Sequence, residues 1–197
     1  NNKLALPFLE AIQCSKILWR GQTTVLGSTE EKLALARDSG CLELAVGIES
    51  VSFRVREIIR KPLKDEQIET FFERCKKHNI KTKLNLIIGL PGEPKTIVND
   101  TIKFIEQYEP EFVNIHGLNP DPGSHMYDNP NHYGLEIMND TNMHSSYLLY
   151  RFTENETTGI AFDHKKDNRF GSVFTREQII DNIRRLQDYL NDRSKIY

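Results

Sequence analysis

Residues 84–94 read LNLIIGLPGEP, and this stretch decides the fold class of the chain. Its first half is an apolar run of the kind that forms a buried β-strand. Its second half crowds two glycines, two prolines and one acid, Glu93, into residues 89–94. Such a segment suits a strand-to-helix turn, whose dihedral angles glycine and proline set. It also suits backbone that approaches a ligand at the carboxyl end of a parallel strand.

The same strand-then-helix pattern extends to both sides of this stretch. The predicted strands are 17–25, 41–48, 81–89 and 111–118. The predicted helices are 1–13, 28–40, 51–60, 65–80 and 94–110. Alternation of this kind predicts parallel strands joined by right-handed crossovers, in a (β/α) barrel or a doubly wound sheet. Four strands do not close a barrel.

We therefore predict an α/β fold: a partial (β/α) TIM-like barrel with parallel strands and about four βα units. A small C-terminal α+β extension follows, with the domains bounded at 1–130 and 131–197. Across this boundary, residues 119–134 read as a loop because they are rich in Pro, Gly, Asn and Asp. Residues 145–152 and 159–164 are predicted to pair as a hairpin.

Three capping signals mark where helices begin. Ser28 with Glu31 predicts a capping box, and Thr175 with Gln178 predicts another before the last helix. Asp65 is the predicted N-cap of the helix that follows Pro62. In the last helix, the buried stripe is predicted to contain Ile179, Ile183, Leu186 and Leu190.

Polar side chains gather near the carboxyl ends of three predicted strands. Successive strand residues point to opposite faces, so Glu49, Asn85, Asn114 and His116 would all lie opposite an apolar face. Strand ends are where parallel α/β folds bind ligands, which makes these residues candidates for a partly wet interior. Three of them also have a structural explanation: Glu49 as a helix cap, Asn85 bonded to a neighbouring strand, and His116 as a hydrogen-bonded core residue.

Composition and cysteine spacing narrow the function classes. The net charge is −2, which gives no global signal for nucleic acid or anionic membrane. No apolar run approaches the ~20 residues of a membrane span. The three cysteines Cys14, Cys41 and Cys75 are scattered, without a C-x2-C pair, and we expect them to be core residues in a reducing, cytoplasmic setting.

Four stretches, in order, resemble the radical SAM superfamily, nearest to its cobalamin-binding-domain and methylthiotransferase-like branches. They are GCLELAVGIES (40–50), KPLKDEQIETFFERCKKHNI (61–80), LNLIIGLPGEP (84–94) and NIHGLNPDPGSHMY (114–127). The resemblance covers about residues 15–130. It implies a parent enzyme that cleaves S-adenosylmethionine (SAM) with an electron from a 4Fe–4S cluster, giving a 5′-deoxyadenosyl radical.

The resemblance also implies which parts of the site this chain holds. The family's C-x3-C-x2-C cluster motif does not occur in the sequence, so we expect the cluster-binding N-terminal barrel half to be absent and the chain alone to be inactive. The adenosine-binding half would remain. Its expected cofactor-binding residues are Glu49, Ser50, Asn85, Ile87, Gly89, Leu118, Asn119 and Pro120. Glu49 would meet the ribose, and Asn85 stands where the family's strand motif has glycine. The branch also allows cobalamin as a further cofactor.

Two other readings stay open. One is a non-catalytic nucleotide- or peptide-binding module with a barrel-remnant fold, which a natural protein beginning near residue 1 would favour. The other is a TIM-barrel lyase or isomerase, weakened because no lysine stands at the carboxyl end of the four strands. The catalytic residues, the substrate and the reaction are not legible from the sequence, and no metal ligand is assigned. His125, His132, Tyr127 and Tyr133 are expected to lie in a solvated loop.

Overall fold

A computed structural model describes residues 2–138, 160, 162–171 and 174–194. In these residues the main helices and strands alternate as the sequence pattern predicts. The helices are α1 (Asn2–Gln13), α2 (Glu30–Asp38), α3 (Phe53–Ile58), α4 (Asp65–Lys77), α5 (Ile97–Tyr108), α6 (His125–Asp128) and α7 (Arg176–Ser194). The strands are β1 (Trp19–Thr23), β2 (Cys41–Glu49), β3 (Lys81–Ile88), β4 (Phe112–Gly117), β5 (Leu135–Ile137) and β6 (Phe162–His164).

Strands β1 to β4 form one parallel sheet in the order β1-β2-β3-β4. Each strand is followed by at least one helix before the next strand begins, so neighbouring strands in sequence are neighbours in the sheet. This arrangement confirms the predicted α/β class and the partial TIM-like barrel. Within β3, Leu84, Leu86 and Ile88 are buried, as the alternation of the sequence predicts.

The described residues form two compact units, and the first comprises 2–49, 62–86 and 103–114. Its buried α4 face is the predicted one, with Ile68, Phe71, Phe72 and Cys75. Glu30 of α2 accepts hydrogen bonds from Lys77 and, at 2.9 Å, from Nε2 of His78. This network joins the start of α2 to the end of α4.

The second unit comprises 50–61, 87–102 and the described residues from 115 onward. Strands β5 and β6 pair antiparallel in it, with Leu135 opposite His164 and Ile137 opposite Phe162. Helix α7 begins with the predicted capping box, since Thr175 N donates to Gln178 Oε1 over 2.9 Å and Gln178 N donates to Thr175 Oγ1 over 3.3 Å. Three members of the predicted stripe are buried: Ile179, Ile183 and Leu186. The domain boundary at residue 130 stays a prediction.

Two predicted helix caps are wrong by one residue. Thr29, and not Ser28, caps α2, since the Thr29 side chain accepts from Lys32 N. Ser28 is buried instead. Its Oγ donates a hydrogen bond to the Thr24 carbonyl oxygen over 2.9 Å and lies 2.8 Å from Thr23 Oγ1. Lys64 occupies the cap position of α4, and Asp65 is the first helical residue.

The C-terminal predictions need two further corrections. Residues 119–134 are not a plain loop, because Ser124 caps the one-turn helix α6 and a 3-10 turn covers Pro130–Tyr133. Tyr133 is buried and not solvated. The segment 162–164 pairs with 135–137. Its predicted partner, 145–152, lies outside the described residues, so the hairpin stays a prediction.

Cys41 and Cys75 are buried as expected, but Cys14 is exposed just after α1. Leu42 is also exposed although its alternation predicts burial. It is an extra residue of β2 at a shift of register, where Trp19 faces Cys41 and Arg20 faces Glu43. Within the described part of the chain, no helix is long and apolar enough to cross a membrane.

Candidate functional site at the carboxyl ends of the strands

The end of β2 contains the most unusual backbone of the first unit's strands. Gly47 faces Asn85 of β3, and Glu49 faces the next residue, Leu86. Ile48 is therefore an extra residue of β2, which forms a β-bulge. Glu49 follows this bulge with φ of +69°, in the left-handed region that non-glycine residues seldom adopt. Bulges and left-handed residues concentrate beside functional sites, where they re-aim a side chain.

Beyond Glu49, in the second unit, the chain turns tightly into α3. The Ser50 side chain is buried, and its Oγ accepts a hydrogen bond from Ser52 N over 3.2 Å. Arg56, fully buried on α3, donates from one nitrogen, Nη1, to the carbonyl oxygens of Ser50 over 2.9 Å and Val51 over 3.0 Å. The guanidinium therefore fixes the two residues that follow Glu49.

Asn85 and Asn114 are brought together in the first unit. Asn114 Nδ2 donates to Asn85 Oδ1 over 3.0 Å. Both residues are partly exposed on the face opposite the buried leucines of β3. The structural explanation given for Asn85, a bond to a neighbouring strand, is thus the observed one. His116 lies exposed on β4 and is not a core histidine.

Gly89 follows β3 in the second unit and is held at both of its backbone polar groups. Its φ is +97°, which side chains with a Cβ rarely adopt. Its N–H donates to Glu93 Oε2 over 2.9 Å, and its carbonyl oxygen lies 3.0 Å from His164 Nε2. A Cβ built at Gly89 would stand 3.1 Å from Cγ2 of Ile179, so the side of Gly89 that lacks a side chain packs against α7.

The loop after β4 adjoins the same strand end. Leu118 N donates to the carbonyl oxygen of Ile88 over 2.8 Å, which continues the ladder beyond β4. Leu118 and Pro120 are buried, while Asn119 is partly exposed and donates from Nδ2 to Asp121 Oδ1 over 3.1 Å. Ile87, the remaining expected residue, is also partly exposed.

The eight expected residues therefore divide between the units. Glu49 and Asn85 belong to the first, at or near the ends of adjacent strands. The second holds Ser50, Ile87, Gly89, Leu118, Asn119 and Pro120. In the second unit the Leu118–Ile88 hydrogen bond brings the loops after β3 and β4 side by side.

Two titratable residues of this region were not among the eight expected cofactor-binding residues. Glu93 is 1% exposed, and burial raises its pKa to about 8 despite hydrogen bonds from the backbone of Gly89 and Leu90. His164 is partly buried, and burial lowers its pKa. Glu93 Oε1 and His164 Nδ1 have no hydrogen-bond partner among the described residues. The acid inside a Gly-Pro loop was a usable signal for Glu93, whereas nothing around His164 in the sequence distinguishes it.

The described residues do not fit a 4Fe–4S cluster. Burial raises the pKa of the Cys41 thiol to about 11 and that of Cys75 to about 12, which opposes the thiolate that a cluster needs. Cys14 is exposed on its own, and among the described residues no three His, Cys, Asp or Glu side chains are grouped to hold a metal ion.

Comparison with known proteins gives the relationship of the chain. The family model described as the radical SAM superfamily matches residues 8–105. The ribosomal protein uS12 methylthiotransferase RimO of Protochlamydia amoebophila (strain UWE25) is 29% identical over 116 residues, which cover 57% of this chain and 24% of that protein. The chain thus spans about a quarter of the length of the curated relatives that it matches.

Two solved structures show the same fold at low sequence identity. The methyltransferase TsrM from Kitasatospora setae, with cobalamin and a 4Fe–4S cluster bound, has a TM-score of 0.57 at 16% identity, over 71% of this chain and 30% of its own. Coproporphyrinogen III oxidase HemN from Escherichia coli has a TM-score of 0.53 at 13% identity, over 71% of this chain and 39% of its own. By its matched residues and its parallel strands, the chain belongs to the radical SAM superfamily.

Proposed function

We propose that this chain binds the adenosine part of S-adenosylmethionine at the carboxyl ends of its strands, as part of a radical SAM enzyme. The observation that carries the proposal is the backbone at Glu49, where a bulge and a left-handed residue end β2. A non-glycine residue in this conformation costs stability, and such residues cluster at ligand-binding and active sites. Membership of the superfamily supports SAM as the ligand.

In this proposal the carboxylate of Glu49 binds the ribose. A carboxylate accepts two hydrogen bonds from the neighbouring hydroxyl groups of a ribose, and hydrogen bonds to an ionised acceptor are strong. Arg56 keeps the following residues in place through the Ser50 and Val51 carbonyl groups. Ser50 itself is buried, so its part is to shape the turn that aims Glu49.

The adenine would lie along the second unit's strand ends. We propose that the Ile87 side chain makes an apolar contact with the adenine. The peptide groups of Gly89 and of residues 118–120 would lie against the edge of the base. The hydrogen bond from Leu118 N to Ile88 O supports this arrangement, because it fixes the two loops at a constant spacing. The Asn85 side chain, which already accepts from Asn114, would contribute its remaining polar atoms to the inner face.

The chemistry of the parent enzyme is also part of the proposal. A bound 4Fe–4S cluster would supply the electron that cleaves SAM to a 5′-deoxyadenosyl radical. Since the described residues do not fit the cluster, we assign no part of that step to them, and we propose that the chain alone does not turn over. The likeness to TsrM, which is solved with cobalamin, supports cobalamin as a further cofactor of the parent. We assign no residue to it.

Further barrel strands are the proposed partner of β1. This strand is at the edge of the described sheet, so its outer hydrogen-bonding groups face no strand there. Beside it, an apolar groove of about 640 Å³ lies between α1, β1 and α2. Leu18 and Ile17, just before β1, are 69% and 57% exposed. An edge with these properties favours pairing with another strand.

Equilibrium binding of SAM to the wild-type chain and to Glu49→Ala tests the adenosine site. We expect Glu49→Ala to weaken binding by about tenfold or more, since two charge-assisted hydrogen bonds are lost. Glu57→Ala, an exposed acid on α3, is the matched control and should bind as the wild type does. Equal affinity of Glu49→Ala and the wild type would reject the site.

A second experiment separates the enzyme from a non-catalytic binding module. The anaerobically reconstituted full-length parent protein, given reductant and SAM, should release 5′-deoxyadenosine. Binding of SAM with no 5′-deoxyadenosine above the cluster-free background would favour the binding module.

A further inference from the structure

The two hydrogen bonds at Gly89 come from opposite directions along the chain. Glu93, four residues later in the same loop, accepts from the Gly89 N–H. His164, 75 residues later and beyond the range that the family model matches, bonds the Gly89 carbonyl oxygen. The peptide groups on both sides of Gly89 are therefore held by one buried side chain, Glu93, and one partly buried side chain, His164.

The position of His164 is set by the small antiparallel sheet. His164 is the last residue of β6 and faces Leu135 of β5, which is fully buried. Its ring also meets Phe162 edge to face, with ring centroids 5.3 Å apart. These contacts hold the imidazole in one place, because both of its neighbours belong to the core of the second unit.

The partners of His164 also determine its protonation. A carbonyl oxygen only accepts, so Nε2 carries a hydrogen. Nδ1 is buried and has no hydrogen-bond partner among the described residues. A second proton there would place a charge in an apolar setting, and the neutral ring with a hydrogen on Nε2 is the favoured form.

We propose that His164 is a positioning residue for the proposed cofactor site, acting on the ligand through the Gly89 carbonyl group. Gly89 in its left-handed conformation can turn its peptide plane at little steric cost, so a donor is needed to hold one orientation. Strands β5 and β6 thereby become a structural part of the cofactor site. This inference rests on the proposed function, in which the Gly89 backbone lies beside the adenine.

The test compares two substitutions in the same chain. His164→Phe keeps a flat ring and removes the donor, while His164→Gln places an amide N–H where Nε2 stood. We expect His164→Phe to weaken SAM binding about tenfold and His164→Gln to remain within about threefold of the wild type, since one buried hydrogen bond separates them. Leu186→Ala, a core truncation on α7, controls for lost stability and should bind normally while folded.

An NMR signal reports on Gly89 without any ligand. Of the 11 glycines, only Gly89 follows an isoleucine, so labelling with ¹³C-carbonyl isoleucine and ¹⁵N-glycine gives a single correlation for the Ile88–Gly89 peptide. We expect this signal to move in His164→Phe and to return close to its wild-type position in His164→Gln.

The outcomes separate the two proposals. Wild-type chain that binds no SAM overturns the proposed function, and with it the role of His164 at the cofactor. Wild-type binding that His164→Phe retains in full overturns the inference about His164 alone. Weak binding by both His164 variants also overturns it, since loss of packing and not of the donor would then be the cause.

Discussion

Asn114 Nδ2 donates a hydrogen bond to Asn85 Oδ1 over 3.0 Å, joining the side chains of two strands on the face that the sequence marks as polar. Asparagine carries two donors and an acceptor with two lone pairs, so one mutual bond leaves further polar groups on both residues. The pair therefore serves as cross-strand support and as a polar surface at once.

A double-mutant cycle measures the support. Asn85→Ala and Asn114→Ala should each lower the free energy of unfolding by about 0.5–1.5 kcal/mol, the usual net worth of a hydrogen bond. The double variant should cost less than the sum, because the second substitution removes a partner that is already lost. Urea denaturation gives the four values, and strict additivity would show that the bond contributes nothing.

The buried acid Glu93 predicts an alkaline loss of stability. Its pKa is raised from 4.5 to about 8 by burial, so between these values the folded chain binds more protons at this site than the unfolded chain does. The free energy of unfolding then falls as pH rises through this window, by at most about 1.4 kcal/mol per pH unit. The contribution is fully present below pH 4.5.

Glu93→Gln should remove this slope, so that the variant becomes the more stable protein near pH 9. Urea denaturation at pH 6 to 9 makes the comparison, with Glu106→Gln, an exposed acid on α5, as the control. The Gly89 amide signal should shift with a midpoint near pH 8 in the wild type only. Parallel stability curves for wild type and Glu93→Gln would show that Glu93 ionises normally.

The full burial of Arg56 predicts that its substitution will strongly destabilise the fold, although Arg56 is not one of the expected cofactor-binding residues. Arg56→Met should lower the free energy of unfolding by about 2–4 kcal/mol, because the carbonyl groups of Ser50 and Val51 lose a charged donor. Arg54→Met on the same helix removes one exposed bond, to the Phe170 carbonyl group, and should cost under about 1 kcal/mol. Equal losses in thermal denaturation would contradict this reading.

The cysteines predict a simple labelling pattern. With iodoacetamide at pH 8, the native chain should react at Cys14 and remain protected at Cys41 and Cys75, whose thiols are buried and protonated. All three should react in denaturant. Mass spectrometry counts the adducts, and Cys14→Ser should abolish native labelling. Rapid native modification of a second thiol would show that the core opens readily.

Sequence reasoning succeeded where one periodic pattern acts along a whole element. The alternation of β3 predicted which residues are buried, and the spacing of apolar residues on α4 and α7 predicted their buried faces. It failed where one extra residue changes the register. The bulge at Leu42 reverses the burial expected there, and no residue type at Leu42 or Ile48 marks the extra residue.

Long-range contacts between short segments were the other limit. Strands β5 and β6 have three residues each and lie far apart in the chain, so no periodicity could indicate their pairing. The hydrogen bond from His164 to the Gly89 carbonyl oxygen depends on this pairing. In the candidate site, the sequence identified Glu49 and Gly89 as residues of interest. It could not show the left-handed conformation of Glu49 or the hydrogen bond from His164 to Gly89.

The packing of α7 on Gly117 has a consequence for sequence evolution. A Cβ built at Gly117 would stand 3.2 Å from Cδ1 of Ile183 and 3.5 Å from Cγ1 of Ile160, so the glycine leaves room for two isoleucines. The space is shared between positions far apart in the chain. In homologues, alanine at position 117 should accompany a smaller side chain at position 183, and these two positions should covary.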